Sequence, residues 1–330
     1  MSATDSPASR ESPQYEEFYG FVQSPFTLAP DPRFLYLSRS HEAALELLLQ
    51  AINRKEGIVI LTGEIGTGKT TVCRSVLERL DMTCFTSLLL NPFLSVEEML
   101  REILLDFGVV SREAVRNGRI SAATKHDLVS TLHEFLVSLI PIGGSGVLIM
   151  DEAQHLSPQV LEELRVLSNL ETNHSKLLQI ILVGQLNLLD VLGSPAVKQL
   201  DQRISMRARL SPLTRPDVEA YIGHRLSVAH GSSSISFESA ALDAIYGASQ
   251  GVPRVINLLC DRSLMIGAGF GLRTITADVV SEAATALGLR PPRARARVWS
   301  NSLWRWAAVG VVIIALVAAL LLFSPLSASF

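Results

Sequence analysis

The sequence predicts an α/β sandwich built on a parallel sheet, followed by a small all-helical unit. Three observations carry this expectation. Short apolar, β-branched runs alternate with helical patterns as far as about Ser211. Beyond that point the strand signal stops and only helical patterns follow. A Gly-rich turn, "GEIGTGKTT", stands between the first strand pattern and the next helix.

The elements follow in order. The leader "MSATDSPASRESPQYEE" is rich in Ser, Pro and Glu and has no apolar core. It is therefore expected to be disordered over residues 1–18, and it is not a secretory signal. Residues 58–62, 84–90, 147–151 and 179–184 read as buried parallel strands. Residues 206–210 alternate and read as an edge or final strand. Helices are expected near 69–80, 95–107, 122–139 and 158–170, the last opened by a Ser157 cap and Pro158 at the first helical position. These make an α/β core over residues 19–211. Helical patterns at 215–229, 239–248, 253–268 and 276–287 form the second unit, residues 212–289.

Charge is unevenly spread. The 330 residues carry 29 Lys and Arg against 32 Asp and Glu. Five of the basic residues, Arg290, Arg293, Arg295, Arg297 and Arg305, lie in a stretch that no acid interrupts or follows. Without them, 24 basic residues face 32 acidic ones, so the body carries a charge of −8. A body of that sign is not a general polyanion binder. Cys73, Cys84 and Cys260 are odd in number and far apart, which excludes a disulfide framework or a Cys/His zinc site and fits a reducing compartment.

The C-terminal part reads as a basic linker (290–302), a transmembrane helix (303–323) and a short external tail (324–330). Residues 306–323 carry no charge, and as a helix would extend about 27 Å, close to the hydrocarbon thickness of a bilayer. The eleven Val, Ile, Leu and Phe residues between Val309 and Phe323 favour insertion by roughly 3 to 7 kcal/mol. Trp299, Trp304 and Trp306 stand at one edge, where interfacial aromatics belong. All five arginines lie on the N-terminal side, which places the body in the cytoplasm and makes the anchor single-pass.

The chemistry centres on two motifs. Gly63-x-x-x-x-Gly68-Lys69-Thr70 is a P-loop in its required setting, after a strand and opening a helix. Its glycines let backbone amides turn toward phosphate oxygens, and the helix dipole and Lys69 supply positive charge. The expected ATP-binding residues are Gly63, Glu64, Ile65, Gly66, Thr67, Gly68, Lys69, Thr70 and Thr71, with the Thr70 hydroxyl on Mg²⁺. "VLIMDE" supplies the second motif, placing Asp151 at the carboxyl edge of the sheet as a Mg²⁺ partner and Glu152 beside it to polarise water. An adjacent Asp-Glu pair points to water as the acceptor, hence hydrolysis. Gln185, just past the strand "QIILVG", is a candidate to orient that water. Arg203 in "LDQRI" and Arg254 in "GVPR" are candidates to stabilise transition-state charge.

Taken together, these motifs resemble an AAA+ ATPase. "FYGFVQSPFTLAPDPRFLYLSRSHEAAL", "GEIGTGKTT", "DEAQHLSP", "LSNLET", "QIILVGQ" and "GVPRVINLLCDRSL" more closely resemble the ExeA/GspA (general secretion pathway protein A) family, which includes ATPases associated with exosortase and exopolysaccharide systems. The resemblance covers residues 19–287 and implies a sheet order of 5-1-4-3-2, a helical lid and ATP bound between subunits of a homo-oligomer. It also implies that Gln185 is sensor 1, Arg254 is sensor 2 acting in cis, and Arg203 is a finger acting on a neighbour's ATP. The segment "DPRFLYLSRSH" resembles the one lying near adenine in this family. ExeA-type proteins carry a peptidoglycan-binding domain beyond the membrane. Seven residues follow Phe323 here, so that domain is not expected. The partners expected are envelope secretion, pilus or polysaccharide-export proteins. The alternatives are a DNA-binding regulator resembling transposition ATPases and a slow ATP-dependent scaffold.

Overall fold

A computed structural model describes residues 15–113, 123–172, 175–229 and 235–289. Five strands form its main sheet: β1 (Ile58–Gly63), β2 (Cys84–Leu89), β3 (Ser145–Met150), β4 (Leu178–Gly184) and β5 (Ile204–Leu210). All pairings are parallel, in the order β2-β3-β4-β1-β5. This is the expected order, counted from the other edge. The three central strands are buried along their whole length, whereas β5 alternates at the edge with Arg207 and Arg209 outward. Central strands covered on both faces read as continuous apolar runs for that reason.

Helices cover the two faces. The first helices are α1 (Tyr15–Tyr19), α2 (Arg39–Asn53), α3 (Lys69–Leu77), α4 (Val96–Asp106), α5 (Lys125–Ser138) and α6 (Pro158–Leu167). Ile58, Ile60, Leu148, Met150, Ile180 and Leu182 share one core with α4, α5 and α6. Val59, Leu61, Val147, Ile149, Ile181 and Val183 face the other way and meet α2 and α3. The period-two alternation of a strand thus divides each central strand between two cores. Capping fixes where the helices begin. Ser95 and Glu98 form a reciprocal capping box on α4, and the Ser157 hydroxyl accepts from the Val160 N–H at 3.3 Å on α6. Each such cap contributes about 1 kcal/mol. Helix α2 is absent from the sequence expectation, although Ala44, Leu45, Leu48, Ala51 and Ile52 mark its buried face at helical spacing.

Short helices α7 (Leu188–Gly193) and α8 (Lys198–Asp201) lead into β5. Beyond β5 the lid region holds α9 (Arg215–Val228), α10 (Ser239–Ser249), α11 (Pro253–Gly269) and α12 (Ala277–Ala286). It is not all-helical. Ser236–Phe237 and Thr274–Ile275 form a two-stranded parallel ladder, β6 and β7, too short to show an alternation in sequence. Its core also takes in Tyr15, Tyr19, Phe21, Phe26 and Phe34 from the start of the chain. The boundary expected at residue 18 therefore falls inside α1, whose Tyr15 hydroxyl donates to Asp261 at 2.5 Å. Aromatic burial against the lid overrides the polar composition of the preceding leader.

Cys73 and Cys260 are buried and Cys84 half-buried, all as free thiols. No helix among the described residues is long and apolar enough to cross a membrane. The expected leader before Tyr15, the basic linker and the transmembrane helix at 303–323 lie outside the described residues.

Candidate functional site

The site grows from the carboxyl ends of β1, β3 and β4. After β1 the chain turns through Gly66 (φ +79°) and Gly68 (φ +97°) into α3. Both glycines lie in the left-handed region, where a side chain is strained. Gly63 is needed for a different reason: a Cβ there would sit 2.8 Å from the Thr67 hydroxyl. That hydroxyl donates to the Glu64 carbonyl at 2.8 Å, closing the loop on itself. Lys69 is buried, and its Nζ donates to the Gly63 and Glu64 carbonyls at 3.1 and 2.9 Å. Burial lowers the Lys69 pKa, and the Glu152 and Asp151 carboxylates work in the opposite direction.

Asp151 and Glu152 arrive directly after β3. The Thr70 hydroxyl donates to Asp151 Oδ2 at 2.6 Å, while Asp151 Oδ1 accepts the Glu152 N–H at 2.8 Å. Glu152 itself has φ +51° and ψ +36°, a left-handed conformation that costs a non-glycine residue about 1–2 kcal/mol. Strain of this kind gathers at functional positions. Gln185, beyond β4, reaches the same place, its Nε2 lying 3.4 Å from Glu152 Oε2. The structure therefore brings Lys69, Thr70, Asp151, Glu152 and Gln185 together.

Arg254 approaches from the lid. Its N–H donates to the Gly66 carbonyl at 3.1 Å, and its Cβ stands 2.6 Å from where a Gly66 side chain would begin. Arg203 is elsewhere. It precedes β5, so it lies at the amino edge of a parallel sheet whose carboxyl edge carries the P-loop, about 20 Å away along a seven-residue strand. Its guanidinium donates to Ser168 Oγ at 3.4 Å and to Asn169 Oδ1. Within one chain it does not belong to the site.

The P-loop, the lid and the early chain enclose a cleft of about 290 Å³. Asp31, Phe34, Leu35, Tyr36 and His41 line it, so the segment "DPRFLYLSRSH" does reach the cleft. Arg225 anchors that wall. This buried lid side chain donates to the Pro25 carbonyl at 2.7 Å and the Thr27 carbonyl at 3.1 Å, and its guanidinium lies 4.6 Å from the Phe34 ring centre. It also donates to the Tyr221 hydroxyl at 2.8 Å, and Tyr221 in turn donates to Asn257 at 2.7 Å.

Sequence reasoning missed His41 and Gln154. His41 is buried, its Nδ1 paired with the Ser38 hydroxyl at 2.7 Å and its Nε2 with the Thr67 carbonyl of the P-loop at 2.8 Å. Neither residue type in isolation signals such a role, and a separation of 26 positions between His41 and Thr67 hides their contact.

Comparison with known proteins agrees with this geometry. Residues 52–192 match the family described as AAA domain. General secretion pathway protein A of Aeromonas hydrophila is 40% identical over 270 residues, which are 82% of this chain and 48% of that protein. The ATP-dependent target DNA activator B of Escherichia phage Mu is 28% identical over 169 residues, 50% of this chain and 48% of that protein. The chain thus spans about half the length of the curated relatives it matches. Among solved structures, the Aeropyrum pernix ORC2 protein in ADPNP–ADP complexes superposes with a TM-score of 0.62 at 16% identity, covering 80% of this chain and 72% of that one. At that identity the likeness speaks for the fold. With the P-loop and Asp-Glu edge in place on this sheet, the chain belongs to the AAA+ ATPase family of general secretion pathway protein A.

Proposed function

We propose that this chain hydrolyses Mg·ATP in a homo-oligomer anchored at the cytoplasmic face of a bacterial inner membrane, to drive assembly or remodelling of an envelope-export machine. The observation that carries the hydrolytic part is the convergence of Thr70, Asp151, Glu152 and Gln185 at one sheet edge. A hydroxyl and a carboxylate 2.6 Å apart form the all-oxygen donor pair that suits Mg²⁺. Thr70 and Asp151 would hold the ion, which would supply neutralisation of phosphate charge.

The chain's own groups do the rest. The loop amides from Gly63 to Thr71 and the Lys69 ammonium hold the phosphates, Lys69 exchanging its loop carbonyls for phosphate oxygens. Glu152 takes a proton from the attacking water, and Gln185 orients that water against the γ-phosphate. Arg254 reaches the phosphates from the lid. Arg203 serves a neighbouring subunit's ATP, which accounts for its place at the opposite sheet edge. The aromatic wall at Phe34 and Tyr36 receives the base.

The export assignment is supported by the 40% identity to general secretion pathway protein A. The membrane anchor is supported by the charge-free run at residues 306–323 and the arginines before it. Crosslinking the full-length Glu152→Gln protein in native membranes with ATP, then identifying its companions by mass spectrometry, tests the assignment. Envelope-export components are expected. The likeness to the phage Mu protein favours a second reading, a DNA-acting ATPase. Recovery of DNA and nucleoid proteins in the same experiment, lost at raised salt, would establish it instead.

A further inference from the structure

We propose that Gln154 is a positioning residue for hydrolysis, holding the Glu152 carboxylate and the Gln185 backbone as one rigid unit. Gln154 is only 7% exposed, and both ends of its amide are engaged. Nε2–H donates to Glu152 Oε2 at 2.5 Å, and Oε1 accepts the Gln185 N–H at 3.0 Å. Since the Gln185 side chain also reaches Glu152 Oε2, the three residues close a ring of hydrogen bonds between the ends of β3 and β4.

The seat for this amide is built on both sides. Glu152 adopts its left-handed conformation at the head of the short turn Ala153–His155, which brings Gln154 back over the Glu152 carboxylate. Across from it, a Cβ on Gly184 would stand 2.7 Å from Gln154 Oε1 and 2.9 Å from Leu188 Cδ2, so the last residue of β4 leaves the space that the amide fills. An amide is the side-chain group that offers a donor and an acceptor on one planar end. Glutamate at this position would keep the acceptor and lose the donor, and leucine would lose both. A carboxylate left free at its terminal torsions spends part of its time away from the attacking water. Misplacement by about 1 Å is enough to cost about a hundredfold in rate.

The inference rests on Glu152 as the base proposed above, and it is tested on the full-length chain. Steady-state ATP hydrolysis and fluorescent-ATP binding are measured for Gln154→Leu and Gln154→Glu, for Glu152→Gln, and for the Glu152→Gln/Gln154→Leu pair. Both Gln154 variants should lose about ten- to a hundredfold in kcat, with KM and ATP affinity within about twofold of wild type. Gln154→Leu should lose less in the Glu152→Gln background than in wild type, because most of its effect passes through that carboxylate. Four results overturn the inference: unchanged kcat, raised kcat, a fall in ATP affinity that accounts for the loss, or losses that add in the double variant. Should Gln154→Leu fail to fold, the near-isosteric Gln154→Glu decides the question in its place. An inactive Glu152→Gln beside an active Gln154→Leu sinks this inference alone. Wild-type turnover by Glu152→Gln sinks the base assignment with it.

Discussion

Replacing Gly66 by alanine puts a methyl group where the P-loop meets the lid. Two costs follow. Gly66 has φ +79°, and the left-handed conformation costs alanine about 1–2 kcal/mol. The new Cβ would also stand 2.6 Å from Arg254 Cβ and 3.3 Å from both Arg254 Cδ and Val252 Cγ1, so either the loop or the lid must shift. Overpacking of that kind costs about 1–3 kcal/mol. The least costly relief is separation of the lid, which gives up the bond from Arg254 N–H to the Gly66 carbonyl, about 1 kcal/mol. If the free protein relieves the clash this way, the nucleotide-competent arrangement bears the difference between the overpacking and the lost bond, up to about 2 kcal/mol and a loss of up to about 30-fold in ATP affinity. Gly108 provides the control. It has φ +73° and nothing within 4 Å of a built Cβ, so Gly108→Ala bears the backbone cost alone. Titration with a fluorescent ATP analogue, alongside thermal unfolding, separates the two. Gly66→Ala should lose affinity while Gly108→Ala loses only stability. Equal, near-wild-type affinities would refute the lid–loop contact as a determinant of binding.

Four further outcomes follow from the same geometry. Lys69→Ala should abolish ATP binding, and Arg203→Ala should bind ATP without turnover. Mixing the two inactive proteins should restore about a quarter of wild-type hydrolysis per interface if Arg203 acts on a neighbour, and none if it does not. His41 gives a pH dependence. Burial holds its pKa below the ordinary 6.5, against smaller upward pulls from the Thr67 carbonyl and Asp217. The unfolded chain therefore takes up a proton that the folded one resists, so stability present above pH 6.5 declines as the pH falls below it. Denaturant melts from pH 8 to about pH 5 should show His41→Gln with a flatter acid limb than wild type.

Much of the fold is legible because strand burial and motif placement are local signals. The runs at β1, β3 and β4 are apolar throughout because both faces are covered, and the P-loop announces itself by glycine spacing. The mixed lid is less legible: two-residue strands carry no period, and the aromatic residues from Tyr15 to Phe34 give no sign of packing on helices some 200 residues away. The site divides in the same way. Thr70 and Asp151 lie 81 positions apart yet are predictable, since each follows a recognisable strand. His41 and Gln154 act through hydrogen bonds whose partners only the folded chain brings near. Arg203 shows the limit of a single chain: it lies at the far sheet edge on Ser168 and Asn169, and the role proposed for it needs a second copy.

The edge formed by Thr70, Asp151, Glu152 and Gln185 is proposed to hydrolyse ATP with Glu152 as base. The most direct measurement is phosphate release by wild type and Glu152→Gln under saturating Mg·ATP, with ATP binding measured on the same samples. Turnover is expected in the wild type, and in the variant retained ATP binding with turnover reduced by at least about a hundredfold. Equal turnover in the two proteins, or none in either despite bound ATP, would contradict it.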